Sequence, residues 1–233
     1  MARLSSLNSP NGKAVVATRS APPIPGLFFD PTLRLPDDLA EEVMLTCMQM
    51  YFRSPDVDQI MLFERAGGRS SASCLPPILN TLLSSLSTLL RPFLPPSKHA
   101  LLFPSSPTPY ARQAILNLYW PGDGITPHVD LLDRYGDGII GRAEEIASGE
   151  AEGCGVYLPP GSVIVMTEEA RYGWTHGIET CMEDLVESES EADSPAVLSR
   201  DVRLSVTFRW LLPGADVVGG TGSHKSNSVE MSS

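Results

Sequence analysis

Cysteine is scarce in this chain: four residues in 233, Cys47, Cys74, Cys154 and Cys181, with no CxxC pair among them. That spacing fits neither a disulfide framework nor a thiolate zinc site. Without a convincing signal h-region, reduced thiols inside the cell are expected, in the cytoplasm or nucleus ahead of the mitochondrion. Long apolar runs are also missing. None approaches the ~20 residues of a membrane span, and the longest is broken by serines and ends at Pro92, so no membrane partner is expected. Positive charge is in short supply, with 17 Lys and Arg against 28 Asp and Glu and a net charge of −11. Proteins that grip duplex phosphates carry a basic face, so strong unaided binding to a duplex is disfavoured. The acid is concentrated in 144–152 and 183–193, which leaves room for a locally neutral mouth.

The length suits one domain with flexible ends and a real core, and a monomer is expected. Composition assigns residues 1–22 and 214–233 to disordered tails, rich in Ser, Gly and Pro and without apolar periodicity. The first 29 residues contain no acid and carry Arg3, Lys13 and Arg19. A mitochondrial presequence has that look, but the low hydrophobicity favours a tail. The domain is expected over 23–213. Asp38 with Glu41 reads as a capping box, opening a helix with Leu39, Val43, Met44, Cys47, Met50 and Tyr51 on one stripe. A second helix starts at Pro76-Pro77 and stops at Pro92, with Ile78, Leu82, Leu83, Leu86 and Leu90 as its packing face.

From Tyr110 onward the pattern turns to strands. Ala114 to Tyr119 alternates, with Ile115, Asn117 and Tyr119 on one face. Ser162 to Met166 reads as a short buried strand. Arg203 to Arg209 has the cleanest period of two in the chain. Two helices followed by many short strands imply an α+β domain built on a double-sheet barrel or jelly roll, the helices packed outside.

Histidines number only four, and two fall in suggestive places. His128-Val129-Asp130 follows the Pro121-Gly122-Asp123-Gly124 turn. On an extended segment an imidazole and a carboxylate two residues apart point to the same side. With one more histidine they make the two-histidine, one-carboxylate triad of non-haem iron oxygenases. Spacing alone does not separate that from a solvated turn. Arg171-Tyr172-Gly173-Trp174-Thr175-His176-Gly177-Ile178 supplies a second histidine on a mostly apolar face, where a plain core histidine is the competing reading. Arg203 and Arg209 share a strand face with backbones roughly 20 Å apart. Their forked guanidiniums leave a gap suited to a short dicarboxylate, or pair with the acidic loop.

Together, Asn117-x-Tyr119, His128-x-Asp130, His176-Gly177-Ile178 and Arg203 with Arg209 resemble the AlkB family of Fe(II)- and 2-oxoglutarate-dependent dioxygenases, over about 24–210. The likeness is nearest to the dioxygenase domain of eukaryotic tRNA-modifying AlkB homologues. The resemblance implies a double-stranded β-helix and oxidative demethylation or hydroxylation of a methylated base in RNA or single-stranded nucleic acid. A protein or small-molecule substrate, or a catalytically silent interaction module, stands as the alternative. It makes His128, Asp130 and His176 the Fe(II) ligands. Arg203 with Tyr119 would hold the distal carboxylate of 2-oxoglutarate, Arg209 with Asn117 the chelating end, and Gln59 to Phe63 would form a substrate lid or an ordinary edge strand. One segment departs from the family pattern. Residues 141–155 are rich in acid and glycine and have no period of two, where the family continues in apolar strands beside the iron. A buried strand is not expected there, because unpaired carboxylates stay wet or neutralise, and the barrel is expected to be incomplete.

Overall fold

In the computed structural model, the described residues are 15–64, 75–104, 110–141, 145–147, 154–188 and 194–215. A six-stranded antiparallel sheet forms the frame. Its strands are β1 (Leu27–Arg34), β2 (Gln59–Glu64), β3 (Arg112–Tyr119), β5 (Tyr135–Gly141), β8 (Ser162–Met166) and β12 (Arg203–Leu211), ordered β1-β8-β5-β12-β3-β2. A four-stranded sheet, β4-β9-β6-β7, contains β4 (Ile125–His128), β6 (Glu145–Ala147), β7 (Cys154–Gly155) and β9 (Thr175–Ile178). A separate ribbon pairs β10 (Glu183–Val186) with β11 (Ala196–Ser199).

Period-two alternation divides the large sheet into two functional faces. Ala114, Leu116, Leu118, Ile140, Val163, Val165 and Phe208 point outward, into one core with helices α1 (Asp37–Tyr51) and α2 (Pro77–Leu90). Six apolar side chains of α2 are buried there, each stabilising by about 1.5–3 kcal/mol. The inner face carries Phe29, Ile139, Ile164 and Met166, packed with Val156, Leu158 and Ala170 in a second core. Farther along that face stand Ile115, Asn117, Tyr119, Ser205, Thr207 and Arg209, opposite the small sheet. This is the expected jelly roll with helices outside, and it is not a closed barrel.

Several local expectations need correction. Asp38 and Glu41 make no capping box: Pro36 caps α1 without a side-chain bond, and Asp38 accepts from the adjacent Leu39 N–H at 2.9 Å. The helix starts before Asp38, and Pro36 at the cap position has neither the side-chain acceptor nor the N–H that a capping box uses. Met50, placed on the packing stripe, is 46% exposed. A short helix, α3 (Pro96–Leu102), was not expected, although Pro95-Pro96 opens it as Pro76-Pro77 opens α2. Part of the N-terminal stretch assigned to a tail lies along the sheets, with Ala17 bridged to Val186 and Thr18 to Val156. Backbone bonding needs no apolar periodicity, which is why composition missed it. Residues 1–14 and 216–233 of the expected tails lie outside the described residues. Within 141–155, β6 does form a strand and pairs with β9 at Ile146↔His176. Three residues of ladder satisfy backbone groups without the alternation a longer strand shows.

Candidate metal centre

The two sequence-flagged histidines meet across an antiparallel pair. β4 and β9 register Ile125 against Ile178 and His128 against His176, with an irregularity between. Their backbones approach too closely for side chains. A Cβ on Gly177 would lie 2.8 Å from the Ile125 carbonyl oxygen, and one on Gly124 would lie 2.5 Å from that of Ile178. Glycine at both positions therefore sets the spacing, and the imidazole centroids stand 4.5 Å apart. Asp130, two residues past His128, turns its carboxylate to the same point. One donor atom from each of His128, Asp130 and His176 falls within 4.8 Å of the others.

This donor set fits a divalent metal ion. Nitrogen and carboxylate ligands bound at about 2.0–2.2 Å sit ~3 Å from one another around an ion, a contraction that side-chain rotation supplies. The Nδ1 of His128 lies 2.9 Å from the Thr126 carbonyl oxygen. A carbonyl only accepts, so Nδ1 carries a proton there, and Nε2 is the ring nitrogen turned toward Asp130, 3.9 Å from its Oδ1. Burial pushes His176 down to about 4, against the pull of Asp130. His176 is thus neutral at physiological pH, the form that ligates metal.

Asp130 is 7% exposed. Burial opposes its ionisation, but the charge and hydrogen bond of Arg209 outweigh it and hold the carboxyl below the usual range. Arg209 donates from Nη1 to Asp130 Oδ1 and from Nε to Gln113 Oε1 at 2.8 Å. Its guanidinium also lies 3.6 Å over the Tyr135 ring. The structure therefore engages Arg209 with the carboxylate of the candidate triad.

Two supporting residues had no role in the sequence reading. Gln113, fully buried, orients Arg209. It shares the alternating face of Ile115, Asn117 and Tyr119, so the same period of two could have exposed it. Arg171, 1% exposed, donates to the carbonyl oxygens of Asp130, Leu131 and Tyr135 at 3.1–3.4 Å. It projects from α4 (Glu168–Tyr172), just before β9, and so ties the two ligand-bearing segments together. A buried arginine whose partners are carbonyl oxygens about 40 residues away leaves no periodic signal, and only its proximity to His176 marked it.

The remaining predicted residues line up on the inner face. Arg203 registers with Tyr119, Ser205 with Asn117 and Arg209 with Gln113. A cavity of about 160 Å³ is bordered by Asn117, Tyr119, His128, Asp130, His176 and Arg209. Asn117 accepts from Gln59 Nε2 at 2.7 Å. Burial raises the Tyr119 phenol, opposed by the charge of Arg203. Arg203, itself buried, borders an adjoining cavity instead. The 59–63 segment is an edge strand paired to β3, with Met61 half exposed at the rim.

No family model matches the chain. Over 107 residues, 42% of this chain, it is 34% identical to the uncharacterized protein L905 of Acanthamoeba polyphaga mimivirus, spanning 47% of that protein. Over 112 residues it is 36% identical to the tRNA (carboxymethyluridine(34)-5-O)-methyltransferase ALKBH8 of Mus musculus, spanning 17% of it. The chain thus spans less than half the length of these relatives. Among solved structures, a Pseudomonas putida prolyl-4-hydroxylase superposes with a TM-score of 0.46 at 13% identity, covering 81% of this chain and 94% of that one.

Proposed function

From a chain whose sequence is AlkB-like over 42% of its length, we propose an Fe(II)- and 2-oxoglutarate-dependent dioxygenase that demethylates or hydroxylates a methylated base in RNA or single-stranded nucleic acid. The observation that carries this reading is the convergence of His128, Asp130 and His176 on one point between two sheets. His128 Nε2, His176 and the Asp130 carboxylate would hold Fe(II), which supplies, with 2-oxoglutarate, the activation of oxygen for attack on a substrate C–H bond. Gly124 and Gly177 keep the two imidazoles in register. Gln113 steers Arg209, whose positive charge balances the Asp130 carboxylate and keeps it ionised. Arg203, beside Tyr119, would receive the distal carboxylate of 2-oxoglutarate through charge-assisted bonds. Ile115, Ile125 and Ile178 supply the apolar part of the cavity lining.

Anaerobic titration of the chain with Fe(II) and 2-oxoglutarate, following the metal-to-ligand charge-transfer band, tests the centre. The band is expected in the parent and lost in His128→Ala. In Arg203→Ala it should need a much higher 2-oxoglutarate concentration while Fe(II) affinity holds. Two variants that behave like the parent would remove these residues from the site. The net charge of −11 favours a second substrate class, methylated protein. Succinate release with methylated oligonucleotides against methylated peptides separates them, and stimulation by peptides alone would discard the nucleic-acid substrate. An absence of any turnover would leave the silent interaction module.

A further inference from the structure

β2 gives the large sheet more than an edge. Ile60 and Leu62 turn outward, onto the core beside the helices, so alternation puts Gln59 and Met61 on the inner face. There Gln59 stands directly opposite Asn117 in the β2–β3 register, and Met61 opposite Ile115. Gln59, Asn117 and Tyr119 all border the cavity of about 160 Å³ that holds the candidate triad.

A primary amide has a donating end and an accepting end, and its partners set its direction. Gln59 Nε2 donates to Asn117 Oδ1 at 2.7 Å. The oxygen of Asn117 is thus engaged from the rim, and Nδ2 is the end it turns to its other neighbours. Tyr119, two residues along on the same face, is one of them. Burial raises its phenol most, and the charge of Arg203 and a hydrogen bond with Asn117 act against that rise. A bond that favours the phenolate is one donated to its oxygen, so Asn117 donates and the Tyr119 proton is left for a further acceptor. Gln59, Asn117 and Tyr119 form a row of donors running inward from the rim, the polarity that receives a carboxylate. Reversing the first amide reverses the row, and an anion would then face oxygen.

We propose that Gln59 is a positioning residue for the cosubstrate: it aims the donors of Asn117 and Tyr119 at the carboxylates of 2-oxoglutarate and acts only through them. This rests on the reading under Proposed function and adds a residue to that site. Metal affinity lies outside its reach, because the two histidines of the triad come from β4 and β9.

Isothermal titration of the Co(II)-loaded full chain with 2-oxoglutarate reads binding without turnover. Gln59→Met keeps the length of the side chain and removes its N–H, so Asn117 loses its preferred direction. Affinity for 2-oxoglutarate should fall about three- to tenfold, the worth of a neutral hydrogen bond, while Co(II) affinity stays within about twofold. Gln59→Glu offers only acceptors, turns the Asn117 amide over, and should weaken 2-oxoglutarate more than Gln59→Met does. In an Asn117→Ala background, itself about tenfold weaker, Gln59→Met should have no further effect, since no amide is left to aim. Asn117→Ser takes that place if the alanine variant binds no 2-oxoglutarate. A residue that merely braces β2 against β3 would weaken binding equally in both backgrounds, and that result overturns the proposal. So does parent-like affinity in a folded Gln59→Met chain, or a loss of Co(II) affinity that matches the loss of 2-oxoglutarate. A parent chain that takes Co(II) and no 2-oxoglutarate overturns the dioxygenase reading itself, and this inference with it.

Discussion

The two ends of β12 are built on different terms. At the Arg209 end the strand has neighbours on both sides, and the guanidinium is fixed by Asp130, Gln113 and the Tyr135 ring. At the Arg203 end β3 is the one strand paired with it among the described residues, and a cavity of about 470 Å³ borders it. Six residues separate a packed, charge-compensated centre from a loosely walled one. The contrast teaches that one strand can bind its guanidinium into a metal-type donor cluster at one end and border a cavity at the other. The donors depend on β4, β9 and the Arg209 half of β12, and all of these are intact.

The contrast breaks first at Arg209. Arg209→Ala leaves the Asp130 carboxylate buried without its partner, which typically costs about 3–5 kcal/mol. Urea unfolding of the metal-free chain should register that loss. Added Co(II) should stabilise the variant more than the parent, because the ion replaces the missing positive charge.

Acid attacks the same end next. The folded chain holds His176 at about 4, below an unfolded value near 6.5, so between those values the unfolded state binds a proton that the folded state refuses. The stability contribution is complete above about pH 6.5 and is lost as the pH falls toward 4, by at most about 3 kcal/mol. Thermal unfolding of the metal-free chain across this window should show the decline, and His176→Gln should flatten it.

Gly177→Ala tests the β4–β9 spacing. The new methyl would meet the Ile125 carbonyl and the Pro127 backbone below 3.0 Å, so the strands must part, at a cost of about 1–3 kcal/mol. Calorimetric Co(II) affinity should drop with it; an unchanged affinity would mean the registry of the two histidines does not govern binding. The smallest effect is expected at the Arg203 end. Val206→Phe adds bulk beside a cavity of about 470 Å³, which should absorb it with a stability change below about 1 kcal/mol in urea unfolding.

Much of this was legible beforehand where a period carried it. Ala114 to Tyr119 and Arg203 to Arg209 alternate cleanly, and both are strands with the expected residues on the inner face. The helix from Pro77 to Leu90 announced itself by its flanking prolines and leucine stripe. The capping box failed because the helix starts earlier, with Pro36 at the cap and Asp38 already inside it. β6 was missed because a three-residue ladder needs no side-chain pattern. Gln113 and Arg171 escaped because a buried polar residue is defined by partners distant in the chain, which no local spacing encodes.

The chain itself, read as letters, determined which side chains are chemically able to bind metal and which strand faces they occupy, because alternation is a local property of the backbone. Tertiary structure alone decided that His128, Asp130 and His176 meet, that Arg209 turns to Asp130, and that Arg203 borders a cavity. Those facts depend on strand order and close backbone approach, which are set by contacts between residues dozens of positions apart.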